Sequence, residues 1–397
     1  MAINPTSIFT ITWMFVVLLL TFNYSSLFTE VSYETLILLS LISAIGFSFS
    51  LIGNRLFIVN ENSRTTRKMS WVPAIAVLIG FAVNFIYAKE IALFNIVFNT
   101  GSYYKEIKDI PTLFPLLISL STAICIISHK SWLTTSSKKD IYICISMLII
   151  PIMTMGRGIF MYTFMTLIFQ AIYFKGKIRL SNIKIYAIYA LIPIVIFSVW
   201  GQIRSSSNEE TNSSNQQLLK TLNELAEVTP DFEESIFPDA ALWPYIYAVS
   251  PLANFDNALL RNYRSSSSCD LIYIPKSLLP ESIQKNIGIF EENLDGALIS
   301  PIFNVSTGLI LPYYYCGVFG VISFIILLLL VLLFCLFATH KTSFHVCALS
   351  QATTILTLML FANVFILDVV FIPLVVTVLY SIKERYVGLL KYQALQV

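Results

Sequence analysis

Charge is scarce in this chain: only 12% of its 397 residues are Asp, Glu, Lys or Arg, while 56% are hydrophobic. That balance excludes an ordinary soluble domain, which has no use for so much apolar residue. The usual catalytic signatures are missing too. There is no HExxH zinc site, no Walker loop, no nucleophilic triad pattern and no DxD pair of the kind that holds a metal–nucleotide. The six cysteines, Cys125, Cys144, Cys269, Cys316, Cys335 and Cys347, show neither CxxC nor metal-ligand spacing. Nothing implies a cofactor or a metal, and nothing suggests a nucleic-acid partner. No basic stretch precedes the first apolar run and no small-residue cleavage site occurs before Glu30, so a retained first span is expected, not a removed signal peptide.

What the chain has is long apolar runs, each of about 17–25 residues, the length needed to cross a hydrocarbon core. They predict spans near 8–26, 34–53, 71–88, 111–128, 141–156, 158–174, 184–202, 313–338, 343–366 and 368–382. The expected fold class is therefore an all-α integral membrane protein of about ten transmembrane helices with one large loop. The connectors that follow every second span are basic. They carry Arg55, Arg64, Arg67 and Lys68; then Lys130, Lys138 and Lys139; then Lys175, Lys177, Arg179 and Lys184; and finally Lys383, Arg385 and Lys391. Basic connectors mark the cytoplasmic side, so both termini are expected there. The three histidines, His129, His340 and His345, fall on or near that side, and chemistry on the opposite face has no histidine base to use.

One long, mostly polar stretch interrupts the spans. It divides the chain into a membrane bundle of about seven spans at 1–202, a loop at 203–301 and about three final spans at 302–397. From 202 to 301 there are six Lys/Arg and fourteen Asp/Glu, so the loop is acidic and is expected on the extracytoplasmic face. A multi-span protein with a domain-sized loop on one face is expected to act on something at that face. The loop opens on a Ser/Asn-rich stretch, 205–217. LLKTLNELAEV follows with helical spacing. WPYIYAVSPLANF comes next, aromatic, Pro-broken and apolar enough to dip into the bilayer surface. Of the cysteines, only Cys269 and Cys316 lie on this side. A disulfide between them and two lone thiols are both open readings.

Four arginines stand out on the same side. Arg157 lies in MTMGRGIFMY between two spans barely long enough to cross, with no acidic residue near it in sequence. Seventeen helical residues extend about 25 Å against a core of about 30 Å, so the guanidinium sits close to the headgroup level. It either clamps a lipid-linked phosphate or snorkels to ordinary lipid. Gly156 and Gly158 beside it allow close approach. Arg204 follows the seventh span in VWGQIRSSS. Arg261 and Arg264, in NALLRNYRSSSS, share a helix face if that stretch is helical. Guanidiniums grip phosphate oxygens bidentately, so the four are expected to build one anion site, the alternative being pairing with loop carboxylates. Among those carboxylates Asp256, in apolar NFDNALL, is the best candidate base, since burial suits a carboxyl to proton transfer. Asp239, Glu291, Glu292 and Asp295 are alternatives, and Asp368 lies in the turn between the last two spans.

The GRG turn, the large outer loop, the run YIYAVSPLANFDNAL and the later PYYYCGVFGVISF resemble the O-antigen polymerase, or oligosaccharide repeat-unit polymerase, family of Wzy type. The likeness covers the architecture of the whole chain, through short motifs. It implies a multi-pass protein of the bacterial inner membrane with its large loop in the periplasm and a membrane-embedded glycosyltransferase architecture. The implied activity is metal-independent and inverting. A growing glycan passes from undecaprenyl diphosphate to a repeat unit itself linked to undecaprenyl diphosphate. The implied partners are those lipid-linked oligosaccharides, membrane lipids and a chain-length-regulating co-polymerase. Outer-loop arginines are typical functional residues of the family, which falls here on Arg157, Arg204, Arg261 and Arg264. On this reading Trp243, Tyr245 and Tyr247 stack on sugar rings and Asp256 takes the acceptor's proton. The alternatives are a flippase for lipid-linked oligosaccharide, an O-antigen ligase, which the missing outer histidine opposes, and a structural or sensory membrane protein.

Overall fold

The computed structural model describes residues 4–28, 30–59, 70–98, 107–175, 226–235, 241–266, 268–289, 294–300 and 303–394. The expected seventh span, 184–202, and the helical reading of 218–228, up to Leu225, lie outside them. Among the described residues the fold is all-helical, with one isolated bridge, Ser25 to Val228, and no strand. The helices are α1 (Pro5–Leu20), α2 (Tyr33–Ile52), α3 (Val72–Ala88), α4 (Ala92–Phe98), α5 (Leu113–Thr135), α6 (Lys138–Met153) and α7 (Arg157–Lys175). After the undescribed stretch come α8 (Leu242–Leu260), α9 (Tyr273–Leu278), α10 (Glu281–Asn286), α11 (Ile310–Thr339), α12 (His345–Leu358) and α13 (Asp368–Ala394).

Local chemistry sets several of these ends. The Asn4 side chain accepts from Thr6 N (3.0 Å) at the start of α1, with Pro5 at the first helical position, where its missing N–H costs nothing. Ser32 caps α2 by accepting from Thr35 N. The span expected over 343–366 is shorter than its apolar run. The helix stops after Leu358, because Gly308 N takes the Met359 carbonyl (2.8 Å) and the Asn363 side chain turns away to the Ser277 carbonyl (2.7 Å).

Among the described residues four helices are long and apolar enough to cross a membrane: α2, α5, α7 and α11; α1 and α3 are shorter apolar helices. The count of ten expected from the apolar runs is therefore not reached by length and composition among the described residues. The distribution of side chains is inverted relative to a soluble bundle. Large apolar groups stand outward, among them Phe15 and Leu18 on α1, Phe47 and Leu51 on α2, and Phe334 and Phe337 on α11. Polar side chains are enclosed: Ser350, Gln351, Thr353 and Thr354 of α12 are wholly buried. An apolar exterior around a hydrogen-bonded polar interior suits lipid as the solvent, and this is a membrane protein.

Inside, α5 and α6 form an antiparallel pair; α7 packs along α12, α13 along α5, and α1 against both α2 and α12. The connectors sort to two ends. At one, His345 Nε2 meets the Leu56 carbonyl (2.8 Å), Glu384 accepts from Ser343, and Arg385 donates to the Phe337 carbonyl (3.1 Å). At the other, described loop residues between 226 and 300 meet the turns before α2, α11 and α13. Ser25 donates to the Ala226 carbonyl, Thr229 to the Asn23 carbonyl (2.7 Å) and Ser282 to Asp368 (2.7 Å). Arg385 and Glu384 thus lie at the end of α11 away from the described loop residues.

Candidate functional site

The loop is organised by α8. The helix runs through Pro251 without breaking, unlike the Pro-broken surface segment expected there, and most of its residues are buried against α1 and α2. Its polar residues act as ties. Asn254 donates to the Phe303 and Val305 carbonyls (2.7 and 2.8 Å) and accepts from Ile299 N (2.9 Å). Asn257 donates to the Ala297 carbonyl (2.9 Å). Asp256 is 4% exposed, and both its oxygens accept from Ser32, from the backbone N–H at 3.2 and 3.3 Å and from the hydroxyl as well. The candidate base therefore anchors the start of α2 to the loop.

Arg261 and Arg264 do not share a helix face. α8 ends at Leu260, and Asn262 turns left-handed (φ 48°), with Tyr263 N bonding back to the Ala258 carbonyl (2.8 Å) and Asn262 N to Leu259 (3.0 Å). This is the usual way a helix stops, with Asn taking the left-handed position. Arg261 caps the helix and is exposed, where its charge suits the helix C-terminus. Arg264 is carried off the axis onto α11.

There it meets a break. At Gly317 (φ 60°, ψ −150°) α11 leaves helical geometry, and Gly320 lies so near the Pro312 carbonyl that a Cβ would sit 2.2 Å from that oxygen. A left-handed φ of this kind favours glycine. Breaking a helix frees carbonyls, and the loop takes two of them: Ser265 N donates to Tyr314 O (2.9 Å) and Asp270 N to Tyr315 O (3.1 Å). The Arg264 guanidinium lies against Gly317, where a Cβ would stand 3.3 Å from Cζ and 3.4 Å from Nε. Cys269 and Cys316 form a disulfide, which settles the two readings left open by the sequence. Lys276, 6% exposed, donates to the Tyr315 hydroxyl, with Nζ 4.7 Å from the ring centroid. Three consecutive residues of α11 thus hold three groups of the loop: Lys276 on Tyr315, Cys269 on Cys316, Arg264 on Gly317.

Arg157 sits elsewhere. It is the first residue of α7, half-buried, after a tight turn in which Met155 is left-handed (φ 55°) and Gly156 N bonds to Pro151 O (2.9 Å). Met155 and Phe160 around it belong to a small separate cluster with Ala92 of α4. Gly158 faces open space, while a Cβ on Gly156 would press on Ile159 at 2.9 Å. The structure thus joins Arg264 to the α11 break, leaves Arg261 on the exposed helix end and places Arg157 in a different packing cluster. Arg204, Asp239, Glu291 and Glu292 lie outside the described residues, as does the Trp243 side chain.

Of the aromatic candidates, Tyr245 is buried, its ring 5.3 Å from that of Tyr24, which also packs on Phe232 (5.4 Å). Burial lifts its hydroxyl above the ordinary tyrosine value. A ring so covered is packing, not a sugar platform; Tyr247 is half-buried. Sequence reasoning passed over Lys276. Its signal was a lone cation in apolar LIYIPKSLLP, inside an otherwise acidic loop. No family model, no curated protein and no solved structure matches this chain.

Proposed function

We propose that the chain is a glycan polymerase of the O-antigen (Wzy) type, transferring a growing glycan from undecaprenyl diphosphate to a lipid-linked repeat unit at the periplasmic end of its helical bundle in the bacterial inner membrane. The observation that carries this reading is the Arg264 guanidinium held against the α11 break by a loop that a disulfide fastens there. As the glycosidic bond breaks, negative charge grows on the diphosphate oxygens. A preorganised guanidinium at a poorly hydrated boundary stabilises that charge more than water does. Both substrates are anchored in lipid, so the site belongs at the membrane surface, where the loop meets the helix ends. Arg157, at the start of α7, serves as a second clamp on lipid-linked phosphate. A base role for Asp256 requires exchanging one of its Ser32 hydrogen bonds for the acceptor hydroxyl.

A flippase needs an open polar path through the helices. The described polar side chains of α7 and α12 are instead closed on one another: Thr166 on Thr354 (3.0 Å), Tyr173 on Thr353 (2.7 Å) and Tyr162 on Gln351 (3.3 Å). Deletion of the chain distinguishes the readings. Loss of a polymerase leaves one repeat unit on the acceptor; loss of a flippase or ligase leaves none. Complementation with Arg157→Ala, inserted at the normal level, is expected to give single-repeat glycan. Long chains in that strain refute the clamp.

A further inference from the structure

The two sulfurs of the disulfide stand in unlike surroundings. Cys316 is 4% exposed and directly precedes Gly317, where α11 breaks. Cys269 is the one exposed cysteine of the chain; Cys125, Cys144 and Cys347 are buried and Cys335 half-buried. Around Cys269 the described residues Ser265, Ser266, Ser268 and Asp270 are exposed too. Two backbone hydrogen bonds also join this segment to α11, from Ser265 N to Tyr314 O (2.9 Å) and from Asp270 N to Tyr315 O (3.1 Å). Hydrogen bonds from such exposed residues open locally at little cost, so the covalent link is what keeps the segment seated beside the break. The sulfurs differ as leaving groups as well. α11 restarts after Gly317, and the positive end of a helix favours a thiolate at Cys316. Asp270, next to Cys269, disfavours one there. An exposed disulfide is of the labile, regulatory kind.

We propose that this disulfide is a reversible regulator of the Arg264 site, opened by a dithiol donor on the loop side that attacks at Cys269. A donor thiolate attacks Cys269 Sγ. A donor–Cys269 disulfide forms, and the Cys269–Cys316 bond breaks with its electron pair leaving on Cys316 Sγ. The donor's second thiolate then displaces Cys269 from the mixed disulfide. The donor ends as a disulfide, oxidised by two electrons, and the chain takes those electrons and the donor's two protons as two thiols. With the disulfide closed, the Arg264 guanidinium is held in place against Gly317. With it open, the segment carrying Arg264 and Cys269 loses its covalent seat. The regulated activity rests on the polymerase reading; the exchange at Cys269 does not.

The test uses the full chain in neutral detergent, without denaturant, treated with dithiothreitol or, separately, with glutathione followed by acid quenching. Dithiothreitol is expected to open the disulfide while circular dichroism shows unchanged helical content. Glutathione is expected on Cys269 over Cys316 by about tenfold, read by peptide mass spectrometry. In membranes supplied with lipid-linked repeat units, reduction is expected to lower polymer yield about tenfold, and oxidised glutathione to restore it. A chain carrying both Cys269→Ser and Cys316→Ser is expected to give the low yield under either condition. A disulfide that resists dithiothreitol until the chain unfolds overturns the proposal, as does glutathione found mainly on Cys316, or full polymer yield from the reduced chain. Absence of polymer from the oxidised chain counts instead against the polymerase reading, and the first two measurements then uphold or overturn the exchange at Cys269.

Discussion

At the loop end of the bundle, charged and aromatic groups from one part of the chain reach across to another: Arg264 to Gly317, Lys276 to Tyr315, Asp256 to Ser32. In the opposite half, polar groups meet helix to helix in closed pairs. Gln170 of α7 joins the His129 ring of α5, the Ile126 carbonyl (3.1 Å) and Cys347 of α12 (3.2 Å). Gln351 donates to Thr377 of α13 (2.9 Å), and Thr342 to Ser381 (3.0 Å). In both regions these contacts satisfy buried polar groups, but to different ends. The interior pairs fix how helices pack where no hydrophobic force separates helix from lipid. The loop end fixes side chains against a helix whose own hydrogen bonds have been opened. Cations belong to a ligand site in the second setting far more readily than in the first.

That contrast can be broken by substitution. The largest effect is expected from Arg264→Ala, which should lower polymer yield about 100-fold with little change in thermal midpoint. Arg264→Lys should not restore it, since a planar guanidinium lies on Gly317. Normal polymer from Arg264→Ala makes the loop end as purely structural as the interior. Next comes the joint replacement of Cys269 and Cys316 by serine. The pair closes a separation of 47 residues, so the expected loss is about 2–4 kcal/mol, read by denaturant unfolding in detergent, together with lower polymerisation as Arg264 loosens. Gln170→Leu should cost about 1–3 kcal/mol by stranding the His129 ring and the Ile126 carbonyl, yet leave polymerisation per folded molecule unchanged. A drop in that specific activity moves the interior pairs into the functional region.

The smallest effect concerns Asp109, in the connector between α4 and α5. Burial raises its carboxyl above 3.8, against the opposing pull of the Asn84 hydrogen bond (2.7 Å). A raised carboxyl holds its proton more tightly folded than unfolded. Its contribution is therefore fully present below pH 3.8 and lost as pH rises through the folded value. Asp109→Asn should raise the midpoint at pH 7 by about 2 °C at most, and the difference should vanish as the pH is taken below 4.

The helices were legible because apolar runs and basic connectors are local signals: α2, α3, α7 and the start of α13 fall within one or two residues of expectation. The arginines were the obvious cations, and Arg264 does lie at the loop–helix junction. What spacing could not give was direction. Arg261 and Arg264 were placed on one face by counting three residues, but Asn262 ends the helix between them. Asp256 read as an isolated buried acid, because its donor Ser32 stands 224 residues away. Tyr245 read as a sugar platform, because Tyr24, which covers it, belongs to the turn after α1. Lys276 was overlooked for the same reason: its meaning lies in Tyr315, 39 residues on.

All fourteen residues of α12 are buried. At 1.5 Å per residue the helix is about 21 Å long, too short for a hydrocarbon core of about 30 Å, and its centre is Ser350, Gln351, Thr353 and Thr354. Such a segment has little tendency to partition into acyl chains by itself during biosynthesis. Enclosure by α7, α1 and α13 is therefore what makes this short polar helix stable within the bundle, since none of its residues is turned outward.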